Sequence, residues 1–279
     1  MKKLISIVTL AALIIALAAC GAKTGEHIIV ITRENGSGTR GAFVELFKVA
    51  DADGNDAIAD IAEISNSTSV VMTSVAGDKN AIGYISLGSL NSTVKALEID
   101  GIAASVENIN SGDYKIARPF NIATKADISE AAQDFIAFIM SSDGQDVIEK
   151  NGYIRVADNG AFHSSGANGK VVIGGSSSVA PVMEKLMEAY AALNPNAALE
   201  LQTSDSSSGM SNAASGVFDI GMASRDLKAS ESEAGLVGLT IARDGIAVIV
   251  NNSSEIEALT SEQVRQIFTT EVTEWSKLG

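Results

Sequence analysis

The run Ile28-Ile29-Val30-Ile31-Thr32-Arg33-Glu34-Asn35-Gly36-Ser37-Gly38-Thr39-Arg40-Gly41-Ala42-Phe43 changes character twice. A short β-branched stretch gives way to a polar glycine loop. Phe43, Leu46 and Phe47 then fall on one face of a helix. The pattern predicts a strand over residues 27–32, a glycine loop and a helix. A second unit begins at residues 170–173, passes through Gly174-Gly175-Ser176-Ser177-Ser178, and enters a helix that aligns Met183, Leu186, Met187 and Tyr190. A third loop, Thr203-Ser204-Asp205-Ser206-Ser207-Ser208-Gly209, follows a short strand at 198–202 and precedes a short helix through Ala214, with another strand at 218–224. Alternating strands and helices of this kind predict α/β lobes with mainly parallel sheets, and no solenoid repeat interrupts them.

The chemistry follows from where the loops sit. The start of a helix carries unpaired N–H groups and a partial positive charge, so a Gly/Ser loop at that point surrounds an oxyanion with donors. Any one such loop reads more readily as ordinary helix capping; three of them, with Arg33 as a bidentate clamp, describe an anion pocket. The competing reading of Arg33 is a surface ion pair with Glu34 or Glu45. His27 and His163 are the only histidines and have no partners at ligand spacing, so no metal or other cofactor is implied. Gly36-Ser37-Gly38 lacks the Gly-x-Ser-x-Gly frame of a nucleophile elbow, and no glycine loop ends in Gly-Lys-Ser/Thr.

Composition narrows the class. The chain has 279 residues, 46% of them hydrophobic, and three prolines, which predicts an ordered globular protein of two modest lobes. A net charge of −14 excludes a nucleic-acid surface but leaves a buried anion site open, because such a site is governed by local donors. Lys2 and Lys3 precede an apolar run at 4–19 that is too short to span a membrane comfortably and reads as an export signal. The run ends in Leu17-Ala18-Ala19-Cys20-Gly21, which resembles a bacterial lipobox. Residues 1–20 are therefore expected to be a lipoprotein signal peptide and lipobox, with Cys20, the sole cysteine, lipidated. Loss of the two lysines with the signal would take −14 to −16. Residues 21–26 read as a tether and 157–169 as an internal linker. Apolar β-prone runs occupy 81–87 and 241–251, and helical periodicity covers 129–151 and 260–268.

Arg33-Glu34-Asn35-Gly36-Ser37-Gly38-Thr39-Arg40 resembles the Arg-x-x-Gly-Ser-Gly-Thr signature of phosphate-binding proteins of the phosphate-specific ABC transport system. Residues 81–86, 174–183, 204–209, 219–225 and 244–251 also resemble segments of that family's Gram-positive type, in circularly permuted order. Segments like the family's second half occupy 27–156, and those like its first half occupy 170–279. The resemblance implies a type II periplasmic-binding-protein fold: two α/β lobes on a two-strand hinge near 115–122 and 239–248. One lobe would combine 26–116 with 241–279 and carry the Arg-x-x-Gly-Ser-Gly-Thr loop. The other would run through 117–240, with 157–169 joining the family's usual termini. By the same resemblance, phosphate would be held by Arg33, Ser37, Gly38 and Thr39 from one lobe and by Ser177, Ser178 and Ser207 from the other, with Ser208 and Ser224 as neighbouring candidates.

Where some relatives have Ala-Ser-Asp, this chain has Ala223-Ser224-Arg225, so the carboxylate that accepts a phosphate proton must be sought elsewhere. Asp244, by the hinge, is preferred over Asp205, inside the serine loop; their plain alternatives are a turn former and a helix cap. The implied protein is a non-enzymatic, monomeric lipoprotein on the extracytoplasmic face of the cell membrane, delivering phosphate to permease subunits. The alternatives are a binding protein for sulfate or molybdate, a sensing or adhesion protein of the same fold, and a secreted phosphate-ester hydrolase.

Overall fold

The structure, a computed structural model, describes residues 27–278. The export signal and the lipidation of Cys20 expected from the sequence fall outside the described residues. Strand β1 (Ile29–Arg33) lies between β2 (Glu63–Ser65) and β3 (Ala81–Ser86), all parallel. Every residue of β3 is buried, as expected of a strand covered on both faces. Helix α1 (Gly38–Leu46) follows β1 and α2 (Thr68–Gly77) follows β2. Beyond them come β4 (Val94–Ala96), β5 (Glu98–Ile99) and α3 (Val106–Ser111), and the chain then enters β6 (Ala117–Thr124) and a second sheet.

That second layer holds α4 (Glu130–Met140), α5 (Ser142–Lys150), β7 (Gly169–Ser176), α6 (Ala180–Leu193), β8 (Ala197–Ser204), α7 (Ser206–Ser215), β9 (Ile220–Ala223) and α8 (Ala229–Glu233). Strand β7 pairs in parallel with β8 and β9, and β6 runs antiparallel to β9. The return is a single long strand, β10 (Val237–Asn251), longer than the expected apolar run. Its first half pairs antiparallel with β6, from Val237↔Thr124 to Gly245↔Ala117, and its second half pairs antiparallel with β3, from Ile246↔Ser86 to Val250↔Ile82. One strand thus belongs to both sheets. The Ile246 N–H donates to the Ile116 carbonyl where the chain crosses between them, and an isolated bridge links Ile154 to Arg243. The chain finishes with β11 (Ala258–Leu259), paired with β5, and α9 (Ser261–Phe268), whose capping box joins Thr260 and Gln263.

Each sheet has its own core. Phe43 stacks on Tyr84 with ring centroids 3.9 Å apart and packs on Phe268 in the first. Phe135, Phe138 and Tyr190 pack together in the second. Burial of each such ring supplies on the order of 2 kcal/mol, so each lobe is stabilised from within.

The helical periodicity over 129–151 resolves into two helices instead of one. Ser141 ends α4 by donating to the Phe138 carbonyl and starts α5 by accepting from the Gly144 N–H. A Cβ on Gly144 would lie 2.1 Å from that same carbonyl oxygen, so the junction requires glycine. The glycine-rich segment at 157–169 is irregular until β7 but is tied down. Asp134 accepts hydrogen bonds from Ser164 Oγ, Ser165 N–H, Tyr190 Oη and Asn194 Nδ2, and Phe162 packs edge-on against Phe138. The two ends of the described chain also meet: the Ile28 N–H donates to the Thr273 carbonyl, and His27 forms a bridge with Glu274.

Burial pushes the Asp134 carboxyl upward, but the hydrogen bonds from Ser165, Tyr190 and Ser164 outweigh it and hold the group below its ordinary 3.8. A depressed folded-state value stabilises the protein above the unfolded value, and that contribution disappears as pH falls through the folded value. Asp134→Asn should cost about 2 kcal/mol at neutral pH. In urea titrations its deficit against wild type should shrink below pH 3.8; a deficit constant down to the acid limit would contradict the assignment.

Candidate functional site

The carboxyl ends of β1 and β2 face those of β7, β8 and β9 across the hinge, the position at which open α/β sheets offer ligand sites. Four helices start there, two from each lobe. Ser37 caps α1 and accepts from the Arg40 N–H; Ser67 caps α2; α6 follows Ser177-Ser178; and Asp205 caps α7. Their N–H groups and positive dipole ends converge on one cleft.

Arg33 ends β1 and is only 2% exposed. Its backbone N–H donates to the Tyr84 hydroxyl, which also bonds Thr32 Oγ1. Its guanidinium grips Glu34 through Nε and Nη2 at 2.8 and 2.7 Å and reaches across the cleft to Ser177 Oγ at 3.0 Å. The pair with Glu34 foreseen from the sequence is present, with Arg33 buried and Glu34 partly so. Thr39 Oγ1 meets Ser178 Oγ at 2.7 Å and Ser224 Oγ at 3.5 Å, and Thr68 Oγ1 meets the same Ser178 hydroxyl at 3.2 Å. The Gly38 N–H donates to Ser206 Oγ at 3.2 Å. Arg33, Gly38, Thr39, Ser177, Ser178 and Ser224 are thus brought together.

The other candidates take different places. Ser37 serves as the α1 cap. Ser207 sits at the rim, where its N–H and Oγ both donate to the Gly36 carbonyl and its Oγ accepts from Arg225. Ser208 turns back on its own cap, donating N–H and Oγ to the two Asp205 carboxylate oxygens, so Asp205 does the work of a helix cap. Sequence reading missed Ser206, fully buried, whose Oγ accepts from the N–H groups of both Gly38 and Ser224. With Asp205 as cap, the residue after it faces inward; the run of three serines concealed that phase. Ser176, whose Oγ donates to Ser224 Oγ, and Thr68 were also missed. A fourth Ser loop, Ser65-Asn66-Ser67-Thr68, repeats the strand-loop-helix signal behind a strand too short to stand out.

Asp244 lies on β10 at the hinge, 1% exposed, accepting from Arg118 Nη2 at 3.3 Å and from the Gly88 N–H at 3.2 Å. Burial pushes its carboxyl above the ordinary range, against the opposing pull of Arg118. Arg118, unforeseen in the sequence, also donates Nη1 to the Ser224 carbonyl at 3.4 Å. A cavity of about 310 Å³ opens beside these groups, lined by Thr68, Ser89, Ser177 and Pro181 among others. A larger groove of about 590 Å³ lies elsewhere on the first lobe, between Lys48, Tyr114 and Arg265, and contains none of the glycine loops. Among the described residues no cluster of His, Cys, Asp and Glu is arranged to hold a metal, and no helix is long and apolar enough to cross a membrane.

Comparison with known proteins yields a consistent set. A family model described as a PBP superfamily domain matches residues 18–143 and 160–279. The phosphate-binding protein PstS 2 of Streptococcus agalactiae is 52% identical over 257 residues, covering 90% of this chain and 88% of that protein. The phosphate-binding protein PstS 2 of Streptococcus pneumoniae is 40% identical over 288 residues, covering 99% of each. A crystal structure of a phosphate ABC transporter phosphate-binding protein from S. pneumoniae superimposes with a TM-score of 0.72 at 43% identity, covering 91% of this chain and 100% of that one.

A Cβ at Gly38 would lie 2.6 Å from Ser206 Oγ and 2.7 Å from Ser224 Oγ, both on the opposite lobe. Gly38→Ala should therefore wedge the cleft while leaving each core intact. Small-angle scattering should show a larger radius of gyration than wild type, with unfolding free energy within about 1 kcal/mol. Unchanged scattering would mean that the lobes close without this contact.

Proposed function

Because this chain belongs to the PBP superfamily and, within it, to the phosphate-binding proteins of ABC transport, we propose that it captures inorganic phosphate between its lobes outside the cell and delivers it to an importer. The observation that carries the reading is the convergence of four helix starts, two from each lobe, on Arg33 and a set of buried hydroxyls. Such a cleft supplies oriented donors for a tetrahedral anion and no nucleophile–base pair, so capture is reversible and involves no covalent step.

Arg33, Gly38 and Thr39 would hold the anion from one lobe, and Ser177, Ser178, Ser206 and Ser224 from the other; Ser37 and Ser207 position the loops. Each buried arginine of the cleft has its own carboxylate, Glu34 for Arg33 and Asp244 for Arg118. The anion's charge is therefore stabilised by aligned N–H and O–H dipoles rather than by surplus cations, and low polarity in the closed cleft strengthens them. Asp244 is the preferred acceptor for a phosphate proton. Sulfate carries no proton at neutral pH and would meet a carboxylate with nothing to donate. Asp205 is disfavoured because Ser208 occupies both of its oxygens.

The lobes 26–116 plus 241–279 and 117–240 would move about β6 and β10 as a hinge. The juxtaposed chain ends, His27 with Glu274, support the circularly permuted order, with 157–169 as the joint. The end-to-end match to the pneumococcal relative supports that order as native. A lipid on Cys20, a monomeric state on the extracytoplasmic face of the cell membrane, and permease subunits that recognise the closed form complete the proposal.

Calorimetry on residues 21–279 should give saturable phosphate binding, with sulfate at least about 100-fold weaker, a gap of roughly 2.7 kcal/mol. Arg33→Met should weaken phosphate by about the same factor. Comparable sulfate binding would move the reading to a general oxyanion carrier, and a folded protein that binds neither anion would overturn phosphate capture.

A further inference from the structure

We propose that the hinge side of the cleft carries a second ligand-facing cluster, in which Ser86, Ser89, Arg118 and Tyr153 donate to the bound anion around Asp244. The inference rests on the phosphate reading and extends it to residues that neither the glycine loops nor the serine loops contain.

Unpaired buried polar atoms are rare in native proteins, and each calls for a partner. Among the described residues five side-chain atoms of this kind occur: Asn80 Oδ1, Ser86 Oγ, Ser89 Oγ, Arg118 Nε and Tyr153 Oη. All but the first lie in one place. Arg118 and Asp244 face each other across the two hinge strands. Ser86 ends β3 opposite Ile246 of the strand carrying Asp244, and its hydroxyl lies beside Asp244 and Tyr153, while that of Ser89 lies beside Tyr153. None of these hydroxyls closes a hydrogen bond of normal geometry. Ser86, Arg118 and Tyr153 are 0%, 4% and 2% exposed.

The cluster is joined to the cleft on three sides. Arg118 holds the carbonyl of Ser224, whose hydroxyl meets Thr39. Ser89 lines the same cavity as Thr68 and Ser177. Arg118 also lies within electrostatic reach of Arg33. The donor set, a guanidinium N–H and three hydroxyls that can turn either way, with a carboxylate in their midst, suits a tetrahedral oxyanion that carries a proton: donors for its bare oxygens, an acceptor for its O–H. A proton-free anion of the same shape satisfies the donors and leaves the carboxylate opposed.

Because none of these hydroxyls closes a hydrogen bond of normal geometry in the ligand-free protein, removing one should leave the fold standing, and this makes the proposal separable from a purely structural role. Tyr153→Phe, Ser86→Ala and the half-buried Ser89→Ala would each be examined for unfolding midpoint without anion and for phosphate affinity by calorimetry, beside wild type and Arg33→Met. The expected result is an unchanged midpoint with phosphate binding weakened at least tenfold in Tyr153→Phe and Ser86→Ala. A lowered midpoint with unchanged affinity would show that the atoms are held by structural water and would overturn the proposal, as would affinity unchanged in all three. If wild type binds phosphate and only Arg33→Met loses it, this inference fails and the phosphate reading stands. If wild type binds no phosphate, the reading itself fails and takes the inference with it.

Discussion

Strand β10 hydrogen-bonds in two sheets at once, and the geometry of the cleft depends on that. Its first half completes the sheet of β6, β9, β7 and β8, and its second half completes the sheet of β3, β1 and β2. Because a strand is stiff along its length and every N–H in it must find a partner, the two sheets are fixed end to end, with their carboxyl edges facing each other. Helix starts that would be unremarkable on one sheet become opposed across a narrow gap. The crossing is also narrow, resting on β10, the chain entering β6 and the short bridge from Ile154 to Arg243. Each side keeps its own aromatic core, so the packing that stabilises one sheet does not run through the crossing.

Polar satisfaction across the cleft follows from this arrangement. Several contacts across the cleft are hydroxyl to hydroxyl or backbone N–H to hydroxyl: Thr39 with Ser178, Thr68 with Ser178, Gly38 with Ser206. Hydroxyls rotate and can donate or accept, so such a surface can pair with itself or with an anion's oxygens. The charged members are balanced locally, Arg33 by Glu34 and Arg118 by Asp244, which avoids the cost of a buried unpaired charge.

Relation to phosphate-binding proteins is carried by both sequence and fold, and two features stand out against that background. The serine loop presents Ser206 to the cleft and uses Asp205 and Ser208 to hold the helix start, so adjacent hydroxyls have quite different duties. Arg225, where a carboxylate was sought, is tied to Glu231 and Ser207 at the rim and belongs to the loop scaffold.

The amino-acid sequence alone determined the strand-loop-helix units, the glycine loops as helix starts and the family, because these depend on local periodicity and on short contiguous motifs. It also marked the Thr260 capping start, whose partners lie within one turn. Local pattern fell short wherever the deciding contact is distant. The break at Ser141 depends on how Gly144 meets the Phe138 carbonyl. The inward phase of Ser206 is set by which neighbour caps the helix. Arg118 and Asp244 come together only because two hinge strands pair in a given register. Asp244 was already a candidate in the sequence, but a lone arginine before proline carries no motif, so the pairing of Arg118 with Asp244 was left for the tertiary structure to decide; register is fixed by packing over the whole sheet, and no short stretch of residues contains it.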